Sequence, residues 1–166
     1  MKIYYPERII CLTEETTETL YLLGEQDRII GISGFTVRPA IARKDKPKIS
    51  TFIDAKIDKI CDLKPDLVIG FSDIQGNIAK ELIEKGIPVW INNYRSVQGI
   101  KKMIFQLGVL VGRKQASLQL IQQINDQIDS IIKKVEKWEN HPKVYFEEWD
   151  DPMISGIKWV SEIIQI

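Results

Sequence analysis

The chain has 166 residues, which suit one domain, or one domain and part of a second. Lys and Arg together number 23, as do Asp and Glu, so the formal net charge is zero. This balance argues against nucleic acid or an anionic membrane as a partner, because both require a basic surface. No apolar run approaches the roughly 18 residues of a membrane span, so we also expect no membrane insertion.

The first 95 residues alternate short apolar runs with helix signals, the pattern of a mainly parallel sheet flanked by helices. Thr13 and Asp54 are predicted helix N-caps, and glycines close the helices. The segment 33–50 shows no clear periodicity and is predicted to be a long loop. Strands are predicted at 8–12, 29–32, 66–70 and 87–91, and helices at 13–24, 56–63 and 76–85.

A helical section follows at 96–142. Ser96 is a predicted N-cap, and Gly112 marks a break before the next helix. Apolar residues then recur at spacings of three and four as far as Trp138, which predicts a long amphipathic helix of roughly 25 residues. We favour packing of this spine helix across two lobes, and helix-mediated dimerisation is the alternative.

The last residues begin a second unit that they are too few to complete. Lys143–Phe146 predicts a strand, and Trp159–Ile166 predicts a helix. Folded units this small usually need a disulfide, a metal or a partner. We therefore expect an α/β protein with a Rossmann-like first lobe, a helical connector and a truncated second lobe that dimerises or exchanges segments. The predicted boundaries are 1–95, 96–142 and 143–166.

Sequence motifs of catalysis and of phosphate binding are absent from the chain. No strand is followed by GxGxxG or GxxxxGK[ST], and there is no GxSxG elbow. The single histidine, His141, adjoins a helix-ending proline, and no transition-metal cluster of His and Cys can be drawn. Cys11 and Cys61 are predicted to be buried free thiols. We therefore predict no catalytic residue, metal site or intrinsic cofactor; an enzyme with a nucleophile and base in the missing second lobe is the alternative.

Polar and aromatic residues follow the predicted strands at the edge where open α/β sheets bind ligands. This composition suits a large, partly apolar ligand. An acidic cluster at 147–151 surrounds Trp149 in the second unit. This cluster is interpreted most simply as a solvated acidic turn. A second interpretation is that its carboxylates bind a hard cation, and the functional one is that Trp149 stacks on a planar ligand.

The chain resembles the vitamin B12 and ferric-siderophore class of ABC-transporter substrate-binding proteins over nearly all of residues 7–166. The resemblance is carried by RIICLT at 8–13, GISG at 31–34, KISTF at 48–52, IDKICDLKPDLVI at 57–69, GIPV at 86–89 and the segment 108–112. It implies two α/β lobes joined by one rigid helix, with a small-molecule ligand in the cleft and an ABC permease as partner.

The tail is similar to the opening of the second lobe in a cobalamin-binding subgroup, with YFEEWDDP at 145–152 and KWVSE at 158–162. A corrinoid is therefore the favoured ligand, and a siderophore or haem is the alternative. Members that dock on a permease present an acidic residue on each lobe. Near the first-lobe position this chain has Asp73, and the expected Glu is missing, which puts the transport role in question.

The ligand-binding rim predicted from these arguments draws on both lobes. It comprises Thr13, Glu14, Phe35, Arg38, Phe52, Phe71, Ser72 and Tyr94 from the first lobe, and Glu148, Trp149 and Lys158 from the second. No leader or lipoprotein cysteine is recognisable in the sequence. The location stays open between an extracytoplasmic protein whose leader was removed and a cytoplasmic relative that handles a cofactor or a protein interaction without a transporter.

Overall fold

A computed structural model describes residues 4–166. Its main sheet has five parallel strands, β1 (Ile9–Cys11), β2 (Ile29–Ser33), β3 (Lys48–Ser50), β4 (Leu67–Phe71) and β5 (Val89–Asn92). The strand order across the sheet is β3-β2-β1-β4-β5, and every neighbouring pair is parallel. The α/β fold with a mainly parallel sheet is therefore confirmed.

Helices cover both faces of this sheet, because successive side chains of a strand point to opposite sides. Ile9 and Cys11 of β1 belong to one buried cluster, and Ile10 belongs to the other. The helices are α1 (Glu14–Leu22), α2 (Ala40–Asp45), α3 (Ile57–Asp62), α4 (Gly76–Glu84), α5 (Val97–Leu110) and α6 (Lys114–Val135). The cluster with Ile9 packs against α1 and α5, and the cluster with Ile10 packs against α3 and α4.

The helices α5 and α6 agree with the sequence. Ser96 caps α5, since its Oγ accepts a hydrogen bond from the Gly99 N–H at 3.0 Å. Gly112 separates α5 from α6 and has a φ of +75°, a conformation that glycine adopts without a steric penalty. The long helix α6 has 22 residues, and its apolar stripe is partly covered by the first cluster.

Three local predictions in the first lobe are wrong. The segment 33–50 contains α2 and β3, which are too short to show a periodicity in the sequence. Asp54 does not cap α3, because the helix begins at Ile57 and the Asp54 carboxylate accepts from the Ala55 N–H. Thr13 occupies the N-cap position of α1 without a side-chain cap bond, and its hydroxyl donates to Glu15 instead.

The strand predicted at 143–146 is also wrong. A strand needs a neighbour for its backbone hydrogen bonds, and within the described range nothing pairs with this segment. The tail instead forms an antiparallel pair, β6 (Trp149–Asp150) with β7 (Met153–Ile154), followed by the helix α7 (Lys158–Ile164). The domain boundaries, the truncation and the dimer stay predictions. Among the helices of residues 4–166, none is long and apolar enough to cross a membrane.

Candidate functional site

The strand order creates a switch point between β1 and β4. From β1 the chain moves outward to β2 and β3, and it then returns to build β4 and β5 on the other side. In open α/β sheets, ligands bind in the crevice outside the carboxyl ends of the strands at such a point. We call residues 12–13, 51–53 and 72–75, which follow β1, β3 and β4, the switch-point rim.

The side chain of Gln75 ties the three parts of this rim together. It is fully buried, and its Oε1 accepts from the Phe71 N–H at 2.9 Å. Its Nε2 donates to the carbonyl of Phe52 at 3.0 Å and to that of Leu12 at 3.3 Å. A Cβ added at Gly70 would lie 2.6 Å from Gln75 Oε1, so the glycine leaves room for this side chain. The rim is thus held in shape by the protein itself.

Ser72 stands in a strained conformation at the end of β4. Its φ of 64° and ψ of 171° lie in a region that is almost restricted to glycine and costs about 1–3 kcal/mol. Its backbone N–H donates to the Asn92 carbonyl at 2.7 Å, which anchors it to β5. The buried Ser72 hydroxyl donates to Asp73 Oδ1 at 2.8 Å and accepts from the Ile74 N–H at 3.3 Å.

Arg95 and Asp73 form an ion pair beside this serine. Arg95 Nη2 lies 3.1 Å from Asp73 Oδ1 and 3.4 Å from Ser72 Oγ, and Arg95 Nε donates to Asn93 Oδ1 at 3.1 Å. The hydrogen bond from Ser72 lowers the pKa of Asp73 below its ordinary value, with smaller contributions from a backbone hydrogen bond and from Arg95. The acidic group considered for permease docking is therefore already paired within the chain.

The predicted rim residues on the β1 and β2 side divide into paired and open groups. Arg38 lies 3.5 Å from the Glu14 carboxylate and 3.4 Å from that of Glu18. The Thr13 hydroxyl donates to Glu15 Oε1 at 2.7 Å, and burial raises the pKa of Glu15. Phe35 is 62% exposed. Phe52 is also exposed, so two aromatic faces are open to solvent in the loops after β2 and β3.

Two aromatic residues, Phe71 at the end of β4 and Tyr94 after β5, are less exposed than Phe35. Phe71 and Tyr94 are both half-buried, and Tyr94 packs against the first core cluster. A Cβ added at Gly99 would lie 2.6 Å from Tyr94 Cβ, which shows how closely Tyr94 packs on α5. Tyr94 thus contributes to the core, and its role in binding stays a prediction.

The three predicted second-lobe residues lie in the exposed tail. Trp149 is 60% exposed, and its Nε1 donates to the Asp151 carbonyl at 3.0 Å. Glu148 is exposed, and its backbone N–H donates to the Ile154 carbonyl. Lys158 lies 3.6 Å from the Glu162 carboxylate. Within residues 4–166, no group of three or more His, Cys, Asp or Glu side chains is placed to hold a metal ion.

Two open clefts lie away from the rim. One, of about 430 Å³, lies between α5 and α6, and the other, of about 450 Å³, lies between α5 and strands β4 and β5. Phe105 and Gln106 line both clefts. In the described part of the chain, neither cleft is lined by a predicted rim residue.

Sequence reasoning missed Gln75 and Arg95 as parts of the site. A glutamine near a helix start is ordinarily solvated, so the spacing alone did not mark Gln75 as buried. Arg95 lies in the polar loop after β5, and its sequence neighbours do not indicate which residues it contacts. Its proximity to Ser72 depends on the pairing of β4 with β5.

This chain is similar in sequence to proteins described as binding proteins. Residues 9–165 match the model of the family described as Periplasmic binding protein. The vitamin B12-binding protein of Vibrio campbellii is 31% identical over 164 residues, which cover 95% of this chain and 58% of that protein. The chain thus spans less than two thirds of the length of such relatives.

Solved structures agree on the fold. A protein of Staphylococcus epidermidis described as a possible iron-binding (periplasmic solute-binding) protein superposes with a TM-score of 0.79 at 25% identity, over 90% of this chain and 59% of that one. The periplasmic vitamin B12 binding protein of Vibrio cholerae superposes with a TM-score of 0.77 at 21% identity, over 92% of this chain and 60% of that one. Because the family model covers nearly the whole chain, this chain belongs to the periplasmic binding protein family.

Proposed function

We propose that the protein binds a corrinoid or a similar metal chelate at the switch-point rim and delivers it to an ABC importer. The observation that carries the proposal is the rim held in shape by Gln75 at the carboxyl edge of the sheet. A preformed rim favours binding because little conformational entropy is lost when the ligand is bound. The similarity to vitamin B12-binding proteins supports the class of ligand.

The exposed aromatic residues fit a ligand with a broad, partly apolar face. Phe35 and Phe52 stand in loops at the carboxyl edge of the first lobe, and Trp149 is exposed in the tail. Aromatic side chains provide large contact areas at a small cost in side-chain entropy. The action proposed is binding without catalysis, outside the cytoplasm, as in a family of periplasmic proteins.

Calorimetric titration of the full-length protein with cyanocobalamin tests this proposal. We expect saturable binding at micromolar ligand, about tenfold weaker in Trp149→Ala, because a buried aromatic contact is worth on the order of 1–2 kcal/mol. Trp138→Ala is the matched control, since Trp138 is 53% exposed and lies outside the predicted rim. Absence of binding by the unmodified protein at micromolar cyanocobalamin would rule out the corrinoid.

A parallel titration with a ferric siderophore and with haemin separates the alternatives within the proposal. Preference for one of these over cyanocobalamin would keep the binding role and change the ligand. Equal loss of cyanocobalamin affinity in Trp149→Ala and Trp138→Ala would remove Trp149 from the site.

A further inference from the structure

Two hydrogen bonds join the start of α5 to α7. Val97, the first residue of α5, donates its N–H to Glu162 Oε2 at 2.7 Å, although the two residues are 65 positions apart. Trp159, in the first turn of α7, donates its N–H to the Arg95 carbonyl at 2.9 Å. The first N–H groups of a helix have no acceptor within the helix. Here the Glu162 side chain, in the second turn of α7, supplies an acceptor to the start of α5, and the Arg95 carbonyl, just before α5, supplies one to the start of α7. The positive end of the α5 dipole also favours the Glu162 carboxylate.

These contacts fix the backbone that directly follows the Arg95 Cα atom. Trp159 binds the Arg95 carbonyl, and Glu162 binds the amide two positions further on. The guanidinium then reaches the switch-point rim, where Nη2 contacts Ser72 and Asp73. Nη1 has no hydrogen-bond acceptor among residues 4–166, and the side chain is half exposed at 51%. Donor capacity is therefore left over at the rim.

We propose that α7 is a positioning element that holds Arg95 at the switch-point rim, where the Arg95 guanidinium donates to an oxygen acceptor of the bound ligand. This inference rests on the proposed function, because it places Arg95 in the same site. A guanidinium is a permanent cation with five donors in a rigid planar fork, which suits a carboxylate or phosphate oxygen. Glu162 acts through Arg95 and is a positioning residue.

The first experiment measures amide and Arg95 Nε–H exchange by NMR in the unliganded full-length protein. In Glu162→Ala we expect exchange to accelerate on the order of tenfold both in α7 and at Arg95 Nε–H, because the carboxylate no longer binds the start of α5. Glu162→Gln keeps an oxygen for the Val97 N–H and restores part of the protection. Glu139→Ala, an exposed carboxylate before the tail, is the matched control and changes neither rate.

Two results of this experiment overturn the positioning role. One is unchanged exchange at Arg95 Nε–H while α7 exchanges faster, since α7 would then be attached without holding the side chain. The other is unchanged exchange in both places, since the two hydrogen bonds would then not stabilise the attachment.

The second experiment is a double-mutant cycle on cyanocobalamin affinity. Arg95→Ala is expected to weaken binding about tenfold, as for the loss of a charge-assisted hydrogen bond. Glu162→Ala weakens it severalfold alone and causes no additional loss in the Arg95→Ala background, because it acts through Arg95. If Glu162→Ala lowers the affinity equally in the unmodified protein and in the Arg95→Ala variant, the inference is overturned. If the unmodified protein does not bind, the corrinoid proposal fails, and the exchange rates alone decide whether α7 positions Arg95.

Discussion

Replacing Gln75 by leucine tests whether one buried side chain holds the switch-point rim. The change keeps the volume but removes the acceptor for Phe71 N–H and the donors for the carbonyls of Leu12 and Phe52. Each buried polar group left without a partner costs about 1–3 kcal/mol. The leucine regains roughly 1 kcal/mol through its apolar surface. For the three groups together, we therefore expect the free energy of unfolding to fall by at least about 2 kcal/mol.

Urea denaturation followed by circular dichroism measures this loss. With a slope of about 2 kcal/mol per molar urea, the midpoint should fall by at least roughly 1 M. Gln127→Leu is the matched control, because Gln127 is an exposed glutamine on α6 and its replacement should change the midpoint little. A difference between the two variants below about 1 kcal/mol would show that the rim keeps its shape without Gln75.

The remaining predictions concern two other buried groups. Burial raises the pKa of the Cys11 thiol to about 12. At pH 8 a disulfide reagent should therefore modify the half-buried Cys61 first, and it should modify Cys11 only in urea. Equal reaction rates of the two thiols would contradict this. Burial alone would raise the pKa of Glu25, but hydrogen bonds from Arg113 and Arg28 outweigh it and keep that pKa lowered. Glu25→Gln should therefore lose about 1–3 kcal/mol of unfolding free energy at pH 7. The stability deficit of Glu25→Gln should shrink as the pH falls below about 4.3. The ionised Glu25 carboxylate stabilises the wild-type protein fully above its unfolded-state pKa, and this stabilisation is lost as the pH falls through the lowered folded-state pKa. A deficit in chemical denaturation that stays the same from pH 7 to pH 3 would contradict the assignment.

Long and strongly patterned elements could be predicted from the sequence. Four predicted apolar runs form strands in the structure, namely β1, β2, β4 and β5. Their alternation with helices indicates a parallel sheet. The start of α5 was marked by Ser96, whose side chain acts within three residues of its own position. By contrast, α2 and β3 have six and three residues, too few for a pattern to emerge. The apolar run at 143–146 looks like a strand, but a strand also requires a partner.

The sequence alone determined the family, the parallel type of the sheet and the edge at which binding residues are predicted, because these depend on local patterns and on short motifs. The tertiary structure decided how that edge is held and which side chains are free. Gln75 is buried and joins the three parts of the rim by hydrogen bonds, and Tyr94 packs against the core. Arg95 came to lie between Ser72 and α7. The physical reason is that hydrogen bonds between residues far apart in the chain form only after the strands are ordered side by side, and no local spacing encodes that order.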